Sequence, residues 1–135
     1  MSNPIYNTLE VNDFKKILQL VDNPDHKDSI AVLIKCGAEW CGPCQRIKPY
    51  CHNKFHNLPS KVICFDIDID QEENMELYLA YKQKKMIRSV PVIFAYVSNP
   101  ERDSGHWWAP DFSVNSAQEQ DLDTFFTKVS TYINN

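Results

Sequence analysis

Ser29 to Cys36 is a nearly unbroken apolar and β-branched run, SIAVLIKC, and the pattern turns helical soon after it, at Cys41. A run of this kind suits a strand buried on both faces, which puts it at the centre of a sheet. The helix beginning at Cys41 tolerates Pro43 in its first turn and carries Ile47, Tyr50, Cys51, Phe55 and Leu58 on one broad face. Pro49, inside that helix, removes a backbone donor and predicts a kink.

Other elements fall into place around this pair. Ile5 to Val11 reads as a first strand, followed by a helix capped at Asn12 or Asp13, with Phe14, Ile17, Leu18 and Val21 on its apolar face and its end near Asp22. Lys61 to Asp70 reads as a strand, with Phe65, Ile67 and Ile69 on one face and Asp66, Asp68 and Asp70 on the other. A helix is expected from about Glu72 to Met86, then a strand from Val90 to Val97 interrupted by Pro91. Asn99 to Gly105 predicts a hairpin turn, His106 to Trp108 its returning strand and Ala109 to Gln118 a loop. Leu122, Phe125, Phe126, Val129, Tyr132 and Ile133 make one continuous stripe on a last helix. The order β-α-β-α-β-α-β-β-α predicts an α/β fold, one mixed sheet with helices on both faces, in a single domain over residues 1–135.

A chain of 135 residues buries enough surface to fold without staples. Its net charge of -4 and the lack of a basic stripe argue against nucleic acid as a partner. The longest purely aliphatic stretch, Ile30 to Ile34, is far short of the roughly 20 residues a membrane span needs. The opening MSNPIYNTLEVND has neither the basic region nor the apolar core of a signal peptide, so a cytoplasmic protein is expected. Five cysteines in such a setting point to reactive, metal-binding or simply buried thiols rather than to a disulfide framework.

Trp40-Cys41-Gly42-Pro43-Cys44 stands directly between the buried strand and the helix. Two thiols three positions apart at a helix start can close a small disulfide ring, and the first lies among unpaired backbone N–H groups that stabilise a thiolate. That makes Cys41 the candidate nucleophile and Cys44 the thiol that resolves a mixed disulfide. A structural or zinc-binding pair is the competing reading, but zinc sites usually need a second pair at matching spacing, and the chain has no second Cys-x-x-Cys.

The stretch Ala38 to Cys44, AEWCGPC, resembles the active-site segment of the thioredoxins residue for residue. Pro49 falls where that family has its helix-kinking proline, Val90-Pro91 matches the pair before its fourth strand, and Ile69-Asp70-Gln71 matches the end of its third. The resemblance extends over roughly Ile5 to Val97. It implies a thioredoxin fold with five strands and about four helices, and a protein disulfide reductase cycling Cys41 and Cys44 between dithiol and disulfide. It further implies a cis Val90-Pro91 bond, substrate binding by Trp40, Gly42, Pro43, Val90 and Pro91, and no cofactor or metal beyond the cysteine pair. Protein disulfides are then the substrates, a thioredoxin reductase or similar donor recharges the pair, and the protein acts as a monomer in electron transport and redox balance. A thioredoxin-fold binding module with incidental redox activity is the alternative; the intact CGPC favours the enzyme.

Four features depart from the family. Lys35 stands where the family has a buried acid, Gly37 where it has an aromatic, and Asp66 where it has a lysine on the neighbouring strand. The Asn99 to Gln120 region is longer, as is the helix before Pro91; the former is expected at the sheet edge, with a tip at Glu101 to Ser104 dispensable for the chemistry. Lys35 and Asp66 therefore read as a swapped ion pair, with Asp66 placed to take a proton from Cys44 and Lys35 to steady the charge. Cys36, Cys51 and Cys64 read as buried apolar thiols, with a regulatory disulfide through Cys51 as the lesser alternative. Asp66, Asp68 and Asp70 begin like a calcium loop, but Gln71 and Leu77 stand where glycine and glutamate are needed. Of the adjacent Trp107 and Trp108, one is expected inside and one outside. His26, His52, His56 and His106 have no catalytic spacing to a cysteine and read as surface or capping residues.

Overall fold

The computed structural model describes residues 3–25 and 31–134; His26 and the expected strand start at Ser29 and Ile30 lie outside them. Five strands form one mixed sheet in the order β1-β3-β2-β4-β5. They are β1 (Ile5–Tyr6), β2 (Ala31–Gly37), β3 (Val62–Asp68), β4 (Val92–Val97) and β5 (Phe112–Val114), with helices α1 (Val11–Asp22), α2 (Gly42–His56), α3 (Met75–Gln83) and α4 (Glu119–Asn134). β1 and β2 run parallel to β3, whereas β4 is antiparallel to both β2 and β5.

Every residue of β2 is buried, as expected of a central strand covered on both faces. Val32, Ile34 and Cys36 face a core shared with Phe14 and Leu18 of α1 and Leu77 and Tyr81 of α3. Ala31 and Leu33 face the other core, with Ile47, Cys51 and Phe55 of α2 and Leu122, Phe126 and Val129 of α4. By strand alternation Lys35 belongs to the α2 side, and the register sets it opposite Asp66.

The outer elements correct several expectations. β1 stops at Tyr6 because the chain is then drawn to Asn74, which accepts from the Leu9 N–H at 2.8 Å and donates to the carbonyls of Asn7 and Asp68. The following helix begins at Val11, with Glu10 at its cap position, so Asn12 and Asp13 lie inside the first turn. α3 is shorter than expected. Glu72–Asn74 is a turn of 3-10 helix. At the other end Lys85 takes a left-handed φ of 60° while the Met86 and Lys85 N–H groups donate to the carbonyls of Tyr81 and Lys82, the bonding pattern of a Schellman cap.

The returning strand expected at His106 to Trp108 is a 3-10 turn, Ser104–His106, and β5 lies inside the expected loop. Arg102 accounts for the difference. Its Nε donates to Asp22 Oδ2 at 2.8 Å and its Nη2 to Asp111 Oδ2 at 2.7 Å, and it also bonds the carbonyls of Val97 and Ala109. These contacts pull the segment across α1, where Trp107 packs edge-on against Phe14 and the Trp108 carbonyl accepts from Tyr96. Both tryptophans are half-buried, and Glu101 to Ser104, expected as the tip of the region, holds Arg102, which anchors it.

Candidate active site

The turn leaving β2 brings the redox motif to the sheet's end. Gly37 accepts from the Ile69 N–H at 2.9 Å, and the Cys41 N–H returns to the Ala38 carbonyl. Cys41 caps α2 and Pro43 sits in its first turn, where a missing N–H has no helical partner to lose. Cys41 and Cys44 are joined in a disulfide. The Cys44 N–H donates to Cys41 Sγ at 3.2 Å, so a thiolate formed there meets a backbone donor at a helix start. Burial leaves Cys41 only 5% exposed, less open than its helix-start position suggests, while a side chain at Gly42 would meet no atom within 4 Å. The approach to the pair is thus over Gly42.

Trp40 is 70% exposed and its Nε1 donates to Asp70 Oδ2 at 2.7 Å. Val90-Pro91 is cis, and the Val90 carbonyl oxygen lies 3.7 Å from Cys41 Sγ. One extended peptide can therefore touch both. Asn115, just beyond β5, donates to the carbonyls of Pro91 and Ser89 and ties this loop down. Nothing local in the sequence marks Asn115.

Behind the disulfide, Lys35 Nζ donates to Asp66 Oδ1 at 3.2 Å. Lys35 is 2% exposed and Asp66 10%. The place a Gly37 side chain would fill is 3.5 Å from Lys35 Nζ and 3.5 Å from Cys44 Sγ, so the ammonium and the Cys44 sulfur face each other across the space that glycine leaves open. A cleft of about 250 Å³ reaches this space, lined by Lys35, Gly37, Cys44, Gln45, Lys48 and Asp66 among others. One expectation is corrected here: His52 is partly exposed but not merely a surface or capping residue, for its Nε2 lies 2.6 Å from Asp66 Oδ2. His56 and His106 meet the Asn3 carbonyl and Asp103.

Cys36, Cys51 and Cys64 are buried free thiols. Burial pushes Cys36 and Cys64 up to about 12 and Cys51 up to about 11, with Lys35 opposing and Asp66 adding to the rise at Cys36 and Cys51. They stay protonated near neutral pH and are poor nucleophiles. Among the described residues, no group of three or more His, Cys, Asp or Glu side chains is placed to hold a metal ion.

Comparison with known proteins gives one answer. The Thioredoxin family's sequence model matches residues 7–105. A probable thioredoxin-2 of Caenorhabditis elegans is 31% identical over 75% of this chain, which spans 60% of that relative's length. The thioredoxin of Rickettsia bellii is 32% identical, over 58% of this chain and 69% of its own. Among solved structures, a Plasmodium falciparum thioredoxin covers 95% of this chain, and 88% of its own is covered, with a TM-score of 0.66 at 22% identity. Thioredoxin f2 in complex with ferredoxin:thioredoxin reductase gives 0.66 at 16% identity, over 95% of this chain and 96% of that one. At these identities the solved structures speak for the fold.

Proposed function

Since the chain belongs to the thioredoxin family and is a dithiol–disulfide oxidoreductase, we propose that it runs as a protein disulfide reductase in which Cys41 attacks and Cys44 resolves. The observation that carries this assignment is the placement of Cys41 Sγ, bonded by the Cys44 N–H at 3.2 Å and 3.7 Å from the Val90 carbonyl oxygen, beside the open face of Gly42. In the reduced protein the Cys41 thiolate attacks one sulfur of a substrate disulfide and expels the other as a thiolate. Cys44 then loses its proton and attacks Cys41, closing the ring and releasing the second substrate sulfur. Trp40, Gly42, Pro43, Val90 and Pro91 form the docking surface, with Val90 offering backbone to an extended substrate.

Lys35 and Asp66 serve the second step. Asp66 takes the Cys44 proton by way of solvent in the cleft, and the Lys35 ammonium stabilises the charge left on sulfur. The cysteine pair is the only redox group needed, and the chain works as a single domain and a monomer in a reducing, cytoplasmic setting. A thioredoxin reductase or similar electron donor recharges it; a reductase complex of a thioredoxin with this fold supports that class of partner. The purified protein should reduce a protein disulfide with dithiothreitol, and then with a thioredoxin reductase as donor. Cys41→Ser should abolish turnover and Cys44→Ser should trap a mixed disulfide seen as a mass increase. Normal turnover by Cys44→Ser would reverse the assignment.

A further inference from the structure

We propose that His52 is a positioning residue of the resolving step, holding Asp66 toward the cleft and taking up, through Asp66, the proton that Cys44 loses. The inference rests on Cys44 being the resolving thiol.

The Asp66 carboxylate is shared between two partners from different elements, an ammonium that donates to it and an imidazole whose Nε2 accepts when the carboxyl carries a proton. Lys35 on β2 holds Oδ1 at 3.2 Å and His52 on α2 holds Oδ2 at 2.6 Å. Lys35 and Asp66 are almost closed to solvent, whereas His52 is 29% exposed. His52 therefore gives the buried pair a second way to water, besides the cleft that Lys35 and Asp66 line with Cys44 across the Gly37 space. A proton left on Asp66 alone would set a neutral carboxyl against the buried Lys35 ammonium and break the ion pair. An imidazole bonded to the same carboxylate gives that proton a place to stay and an exit to solvent.

The step balances without any added oxidant. The Cys44 S–H proton passes to the Asp66–His52 pair, and the Cys44–Cys41 bond forms as the bond between Cys41 and substrate sulfur breaks. The leaving thiolate takes a proton from water, and the imidazolium returns one. The route needs a neutral imidazole, because a ring protonated on both nitrogens has no lone pair with which to accept. Other groups around His52 are Lys48, one turn earlier on α2 and lining the cleft, His56, one turn later with its ring 6.5 Å away, and the neutral Cys51 thiol beside it on α2. His56 is occupied by the Asn3 carbonyl at 2.7 Å, which leaves His52 as the imidazole on the pair.

The test uses the reduced full chain and 5,5′-dithiobis(2-nitrobenzoate), which releases one coloured thiolate when Cys41 attacks and a second when Cys44 resolves. Both phases are followed by stopped flow from about pH 5.5 to about 8.5, the range in which imidazole titrates. In His52→Gln the first phase should be unchanged, while the second slows at least about tenfold at neutral pH. Its rise with pH should also move to where Cys44 ionises unaided. His52→Gln keeps a donor to Asp66 and so preserves a purely structural contact, and His56→Gln should behave as the wild type. A second phase in His52→Gln with wild-type rate and pH profile would overturn the inference, as would an equal effect of His56→Gln. Absence of the second phase from the wild type would instead defeat the resolving role of Cys44. Thermal melts of each variant exclude unfolding as the cause of a slow phase.

Discussion

Replacing Asp66 by asparagine keeps the shape of the pair behind the disulfide and removes its negative charge. Lys35 is 2% exposed, so its ammonium would be left facing a neutral oxygen in a site that water scarcely reaches. Breaking a buried pair by removing one partner costs about 3 to 5 kcal/mol. The cleft beside Lys35 and Asp66 admits some solvent, which places the expected loss at the lower end, about 3 kcal/mol. Lys35→Met should cost less, about 1 to 2 kcal/mol, because the remaining carboxylate is 10% exposed and keeps its bond to His52. The double variant should be more stable than Asp66→Asn alone, since no buried charge then lacks a partner. Urea unfolding of the oxidised protein at neutral pH measures all three. With a slope of about 2 kcal/mol per molar, Asp66→Asn should lower the midpoint by about 1.5 M. A shift below about 0.5 M, or a larger loss for Lys35→Met, would refute the reasoning that Lys35 depends on Asp66 for its burial.

Burial keeps Cys36 and Cys64 protonated up to about 12. In the unfolded chain they ionise in the ordinary thiol range, so their contribution to stability is complete below that range and is lost as pH rises through it toward 12. The urea midpoint should fall steadily from about pH 9 upward, and a flat profile would contradict it. Arg102→Met should destabilise by about 2 to 4 kcal/mol and speed proteolysis within residues 99–111, leaving the first dithiobis(nitrobenzoate) phase intact; resistance to protease equal to wild type would remove the anchoring role. Lys85→Gly should stabilise by about 0.5 to 1 kcal/mol in the same urea assay, because glycine adopts φ of 60° freely at a helix end, and a lowered midpoint would count against that cap.

Much of the fold was legible in sequence because its signals are local. The apolar run of β2, the broad face of α2 and the stripe of α4 each repeat at their element's own period, and the core formed where those faces meet. The redox pair was legible for the same reason: its chemistry joins residues three apart at one helix start. The Lys35–Asp66 pair was expected from the resemblance, whose acid and lysine stand at those positions in reverse, and the strand register sets the two residues opposite each other. Tertiary structure alone decided the partners of several polar side chains. His52 meets Asp66 from another element, Asn74 gathers the ends of three segments, Asn115 clamps the loop before β4, and Arg102 turns an expected hairpin into a cover for α1. An apolar side chain needs only a buried face, which periodicity reveals. A buried donor or acceptor needs one particular partner in reach, and which partner that is depends on how the whole chain has packed.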